Sequence, residues 1–197
     1  MPNRIGGHPA LDLCNTWAGW GEPWNPRREW LPDYEHLVVW SHYAGLIDKS
    51  SAARDRRRAR RRPDEAGDVV KRTHALRRLL YRTLTDRADR RSFRGVAVFV
   101  REAAAAADFV AGPDGIAHWK IRPGVGLELP LLAAAQAAGR LLGSPDRMRV
   151  DRCPGDDCGW LFINQSGRRK WCDMTSCGNR AKVRAYNERR KRSREKG

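Results

Sequence analysis

Apolar positions recur at helical spacing in several stretches of the chain. Val69, Thr73, Leu76, Leu80 and Leu84 share one face, with Lys71, Arg78 and Arg82 off it, the pattern of an amphipathic helix over 69–84. Val96, Phe99, Val100, Ala103 and Ala107 predict a second helix. Pro130 opens a third, with Leu131, Ala135, Ala138 and Leu142 on one stripe. Proline suits a first helical turn, and Gly143 suits the end of that helix. Near the start, Asp33 is placed to cap a short helix carrying Leu37, Trp40, Tyr43 and Ala44 inward. Between the second and third helices the period changes to alternation. In ADFVAGPDGIAHWKI, Ala117, Trp119 and Ile121 share one face and Pro113-Asp114-Gly115 supplies a turn, so a β-hairpin is expected.

Composition shifts at Ser144-Pro145-Asp146, beyond which lie the four closely spaced cysteines. This divides the chain into an α+β domain over 1–145, mainly helical with one hairpin, and a small domain over 146–197. The first 50 residues hold Trp17, Trp20, Trp24, Trp30 and Trp40, five of the eight tryptophans. The Gly, Pro and Asn of GWGEPWNPRREWLP make much of that segment loop. No run of 18 apolar residues occurs, so no membrane span is expected. The opening MPNRIGGHPALDLCNTW lacks the apolar core of a signal peptide, and a cytoplasmic location is expected.

The net charge of +16 is concentrated. Residues 168–197 carry 12 Lys/Arg against 3 Asp/Glu, and RDRRRARRR over 54–62 carries 7 Arg against 1 Asp. The rest of the chain is nearly neutral. Such concentration points to a polyanionic partner, most often nucleic acid. Like charges at helical spacing repel, so the 54–62 run by itself is a poor helix; it either extends one or connects two elements.

Cys153, Cys158, Cys172 and Cys177 read C-x4-C-x13-C-x4-C. Two short cysteine pairs separated by a spacer are the usual way a short chain delivers four tetrahedral donors to one zinc ion. Pro154 and Gly155 favour a tight first knuckle, and Gly159 stands where a positive φ is often needed. Two disulfides are the alternative, disfavoured by a reducing cytoplasm. Iron–sulfur ligation is another, but the spacing is not a ferredoxin run. Four thiolates leave no open position, so the zinc is structural. Residues 159–164 are expected as a strand turned by Gln165-Ser166-Gly167. A helix of about four to five turns follows Cys177, with Ala181, Val183 and Ala185 toward the domain. Trp160 and Trp171 are expected in its core.

CPGDDCGWLFINQSGRRKWCDMTSCGNRAK resembles the CGNR zinc finger, through Cys158-Gly159-Trp160-Leu161-Phe162, Ser166, Arg169, Trp171-Cys172, Met174, Cys177-Gly178-Asn179-Arg180 and Lys182. GGHPALDLCNT over 6–16 looks like the opening of the ABATE domain that precedes this finger in that family. The resemblance implies a bacterial transcription regulator: a treble-clef-like finger that binds DNA behind a stress- or ligand-responsive N-terminal domain. On that reading double-stranded DNA is the partner. Arg168, Arg169, Lys170, Lys182, Arg189, Arg190 and Lys191 would meet phosphates, and Arg180, Arg184 or Asn187 would read bases. A homodimer would match a palindromic operator. The alternative is an RNA-binding or ribosome-associated zinc module, although no alternating basic and aromatic pattern is visible. No enzyme is expected. His8, Asp12, Cys14 and Asn15 are chemically capable but form no assignable nucleophile–base pair, and His36, His42, His74 and His118 lack metal spacing.

Overall fold

The computed structural model describes residues 2–20 and 28–194; Trp24 and much of the loop expected around it lie outside them. Among the described residues the chain runs α1 (Pro9–Cys14), α2 (Tyr34–Tyr43), α3 (Lys49–Arg61), α4 (Pro63–Thr85), α5 (Arg90–Ala105), β1 (Ala107–Ala111), β2 (Ala117–Ile121), α6 (Leu129–Leu142), β3 (Val150–Arg152), β4 (Leu161–Ile163) and α7 (Asn179–Arg194). The α+β class is as the sequence predicts. Two antiparallel hairpins, β1–β2 and β3–β4, sit among helices.

The centre of the core is α6, on which α1, α4 and α5 pack. Its alanines 133–135, 137 and 138 are all buried, because small side chains let neighbouring helices approach closely. At Gly139 the approach is closest: a Cβ there would stand 2.9 Å from Cγ1 of Val100 on α5. Pro123–Leu142 is apolar and long enough, by composition, to cross a membrane, yet most of it is buried inside the protein. The backbone also breaks at Gly126, with φ 69° and ψ −139°. What remains continuous is 14 residues, about 21 Å at ~1.5 Å per residue, short of a bilayer core of about 30 Å.

The predicted stripe on α4 is buried throughout, from Val69 at 1% to Leu84 at 9% exposure. Asp33 caps α2 by accepting the N–H of His36 at 2.9 Å, and Leu37, Trp40 and Ala44 point inward. Tyr43 does not; it is 46% exposed. Ala107, expected at the end of a helix, begins β1 instead. The hairpin turns at Pro113-Asp114-Gly115, with Gly115 at φ 79°. Of the face that Ala117, Trp119 and Ile121 share, only Ile121 is buried, while Ala117 and Trp119 stand exposed, because the core ends beneath the base of the hairpin.

The arginine run is a helix after all. Asp48 caps α3, accepting the N–H of Ser51 at 2.8 Å and the hydroxyl of Ser50 at 2.6 Å. Ala52 and Asp55 face inward, and Arg56 pairs with Glu35 on α2. A cap, a buried stripe and cross-helix pairing offset the like-charge repulsion.

Asp55 is 1% exposed, and among the described residues neither carboxylate oxygen has a hydrogen-bond partner. Burial pushes its pKa up to about 6 against the pull of Arg54 and Arg58. Such a group binds more protons folded than unfolded between its ordinary value near 3.8 and about 6. Its effect on stability therefore worsens as pH rises through that window. Asp55→Asn should be more stable than wild type by about 3 kcal/mol at pH 7 and by only about 0.5 kcal/mol at pH 4. Urea unfolding at the two pH values measures this; a difference independent of pH would show that Asp55 is solvated.

Candidate metal centre and nucleic-acid interface

Strand β3 delivers Cys153, and β4 begins soon after Cys158; the knuckle lies between them. The N–H of Cys153 donates to the carbonyl of Trp160 at 2.8 Å, and that of Cys158 to Gly155 at 3.1 Å. The knuckle uses two positive φ angles, Asp157 at 57° and Gly159 at 70°. A Cβ at Gly159 would also lie 2.9 Å from Cβ of Trp20 and 3.0 Å from the Tyr81 hydroxyl, so glycine is required there on both counts. Gly155 lets the backbone approach the sulfurs, since its Cβ would lie 3.1 Å from Sγ of Cys177.

The strand expected over 159–164 is shorter, Leu161–Ile163, and its partner is upstream rather than beyond the turn: Val150 pairs with Ile163 and Arg152 with Leu161. The reason lies in Asn164 and Arg169. The Asn164 side chain donates to Asp151 and to the carbonyl of Arg169, and accepts the N–H of Arg169 at 3.1 Å. It holds the returning chain as a loop. Cys177 sits in one turn of π-helix, Met174–Gly178, capped by Asp173, and α7 follows directly. The knuckle and the helix starting at the last ligand stand as the sequence predicts, but the hairpin flanks the knuckle and a loop, rather than a hairpin, leads from β4 to the helix.

The four Sγ atoms lie within 4.8 Å of one another. Cys158 and Cys172, and Cys172 and Cys177, are each 3.6 Å apart. Tetrahedral thiolates at ~2.3 Å from zinc would be about 3.8 Å apart, so the donors fit one zinc ion. All four are buried, none more than 7% exposed. Left to themselves the thiols compete for charge. Hydrogen bonds from Cys158 and Cys172 hold Cys153 down to about 2; the bond to Cys153 is the main cause pushing Cys158 up to about 12 and Cys172 up as well. A divalent cation lets all four ionise together. Arg180 adds a positive charge, donating to Sγ of Cys177 at 3.0 Å.

The finger is fastened to the helical domain by long-range bonds. The side chain of Asn15 accepts the N–H of Leu161 at 2.8 Å and donates to its carbonyl at 2.9 Å. Tyr81 donates to the carbonyl of Gly159 at 2.8 Å, and the Trp160 indole to that of Trp17 at 2.9 Å. Trp20 stacks on Tyr81 with ring centroids 3.7 Å apart. Trp20, Trp30 against Trp160, and the carbonyl of Trp17 thus help seat the finger, a role the number of tryptophans alone did not disclose. Leu161 belongs to the main core, whereas Phe162 packs with the cysteines, Trp160 and Trp171.

The predicted nucleic-acid residues divide into groups. Arg168 and Lys170 are exposed in the loop before Cys172. Arg169 is not a surface cation. Its guanidinium donates to the carbonyls of Ile5 at 3.0 Å, Trp171 at 3.1 Å and Cys172, and lies over the Phe162 ring. It braces the finger from within. On α7, Lys182, Asn187, Arg189, Arg190 and Lys191 are exposed. Arg184 pairs with Asp156 of the knuckle. Ala185 and Val183, expected against the domain, are exposed too, and only Ala181 is half-buried, because α7 packs chiefly on the π-turn that precedes it.

The helical domain and the four-cysteine centre define a zinc-finger protein. Residues 149–190 match the model of the CGNR zinc finger. Residues 7–145 match the ABATE model, described as "Putative stress-induced transcription regulator". That match covers well over half of the chain, and the chain belongs to the ABATE family. No curated protein matches it.

Proposed function

We propose that the chain is a zinc-dependent, DNA-binding transcription regulator of the bacterial cytoplasm, with no enzymatic activity. The observation that carries this reading is α7, a basic helix exposed on nearly every side and anchored at its first turn to the metal centre. A helix with so little packing of its own gains its order from the zinc-held turn and its purpose from a partner. Lys182, Arg189, Arg190 and Lys191, with Arg168 and Lys170, meet phosphates. Asn187 reads bases beside Arg184, which exchanges Asp156 for DNA. Arg180 serves the sulfur of Cys177 first.

The family description supports regulation, and the N-terminal domain senses a ligand. The groups that suggested chemistry near the N-terminus are already engaged. His8 caps α1, Asp12 accepts the N–H of Gly6 at 3.0 Å, Cys14 is fully buried with its thiol pushed up by that burial, and Asn15 clamps β4.

Selection from random duplex DNA with the zinc-loaded protein, with RNA as competitor, tests the proposal. An enriched duplex motif is expected, and two-fold symmetry in it would report a homodimer. Loss of binding to the RNA competitor would replace this reading with an RNA-binding module. Neutralising Arg189, Arg190 and Lys191 together should weaken binding to every sequence and reduce the slope of log K against log salt by about 2.7, at ~0.9 per phosphate. An unchanged slope would place the phosphate contacts elsewhere.

A further inference from the structure

Strand β2 arches over the surface of α6 and leaves two adjoining cavities, of about 340 and 410 Å3, that share His118, Trp119, Gln136 and Arg140. Both fall within the size range of small-molecule sites. The smaller is walled by Val100, Ala103 and Ala107 on one side and by Phe109, Ala117 and Trp119 on the other. The register explains the shape. Ala107 pairs with Ile121, and both are buried at the base of the hairpin. Two residues further on, Phe109 pairs with Trp119 on the same face of the hairpin. These rings, 5.1 Å apart, overhang the end of the core and are 62% and 56% exposed. Aromatic rings held open to water beside an apolar hollow are a binding feature.

Arg140 gives the hollow its polarity. Among the described residues it forms no ion pair, and its one hydrogen bond goes to Oε1 of Gln136 at 3.1 Å. Arg140 is an exposed residue of α6 whose side chain lines both cavities, and partial burial beside them lowers its pKa from the ordinary value. An exposed guanidinium with no ion pair among the described residues, at the mouth of an apolar hollow, is free to take a ligand's carboxylate in a charge-assisted hydrogen bond.

We infer that this groove binds a small organic acid with a flat apolar body, an arylcarboxylate. Its ring lies between Trp119, Phe109 and the alanine wall, and its carboxylate is held by Arg140, with Gln136 as a second donor. This gives a place and a chemistry to the ligand sensing proposed above, and it rests on that reading.

The test uses the full zinc-loaded chain with 1-naphthoate and its neutral isostere 1-naphthamide as probes, followed by calorimetry. The acid should bind at least about ten-fold more tightly than the amide, a difference of ~1.4 kcal/mol. Arg140→Gln should remove that preference, and Trp119→Ala should weaken both probes. Arg140 is on the surface, so its variant tests recognition without endangering the fold. Equal affinity for acid and amide, no binding of either at millimolar concentration, or a preference that survives Arg140→Gln would overturn the site. So would sedimentation showing that the aromatic pair is covered by a second copy of the chain. Duplex binding measured with and without saturating naphthoate separates the two readings. Acid binding with altered DNA affinity supports both, whereas acid binding with unchanged DNA affinity keeps the site and overturns its regulatory role.

Discussion

Cys172→Ser should leave the protein without stoichiometric zinc and unfold the chain from about Val150 onward. The reasoning starts from how little else holds the finger. Its own core is the four cysteines and Phe162, with Ile5, Trp160 and Trp171 packed against them. Structural zinc in small domains supplies apparent free energies of about 10–16 kcal/mol, far more than this cluster of side chains can replace. Cys172 is also the sulfur in contact with two others, Cys158 and Cys177, at 3.6 Å. The loss should spread, because Leu161 is part of the main core and is held there by Asn15. The thermal midpoint of the helical domain should therefore fall as well. Metal analysis and amide spectra of the variant decide the matter: one zinc per chain with native spectra would refute the four-cysteine site.

Arg77→Met should cost about 3–5 kcal/mol, the penalty for stranding one partner of a buried ion pair. Arg77 on α4 is 3% exposed. Its guanidinium reaches Glu29 with both nitrogens and the Thr16 hydroxyl at 2.9 Å. Methionine fills much of the volume but leaves the Glu29 carboxylate, among the described residues, with only the N–H of Leu31 at 2.8 Å and His74 at 3.5 Å, and no guanidinium. Burial would push the pKa of Glu29 up, yet the hydrogen bonds and charge of Arg77 outweigh it and hold the group below its ordinary value. A depressed acid stabilises the fold above its unfolded pKa, and that contribution disappears as pH falls through the folded pKa. The gap between wild type and Arg77→Met should therefore be full at neutral pH and narrow on strong acidification. Urea unfolding across pH measures both. A gap under about 1 kcal/mol, the usual worth of an exposed pair, would mean that the pair is not buried in solution.

The parts of this protein legible in its sequence are those decided locally. The stripe Val69–Leu84 names its buried face because a helix has one period and this segment has one apolar face. The four cysteines name their ligand because thiolate chemistry leaves few uses for that spacing. Asp33 and Gly159 could be read because a cap and a positive φ are single-residue demands. What failed was decided at a distance. The arginine helix α3 looked poor because its cap, its buried face and Glu35 lie outside the run. Tyr43, Ala117 and Trp119 alternate or repeat correctly, but periodicity does not say where the core ends. Arg169 looks like any other arginine in a basic loop until the carbonyls of Ile5 and Cys172 are seen around it. Asn15 sat in a cluster that suggested chemistry, whereas its role is to hold a strand of the finger.

That clamp has a consequence for the order of events during synthesis. Asn15 and Leu161 are separated by 146 residues. At about 5–20 residues per second, a ribosome needs roughly 7–30 s to make the second after the first. For that interval α1 has emerged with its partner strand not yet in existence, and the carbonyl of Gly6, which finally accepts the N–H of Ile163, waits with it. Helix α1 has α4 and α6 to pack on before then, but the clamp that joins it to the finger closes only when the metal-binding end arrives.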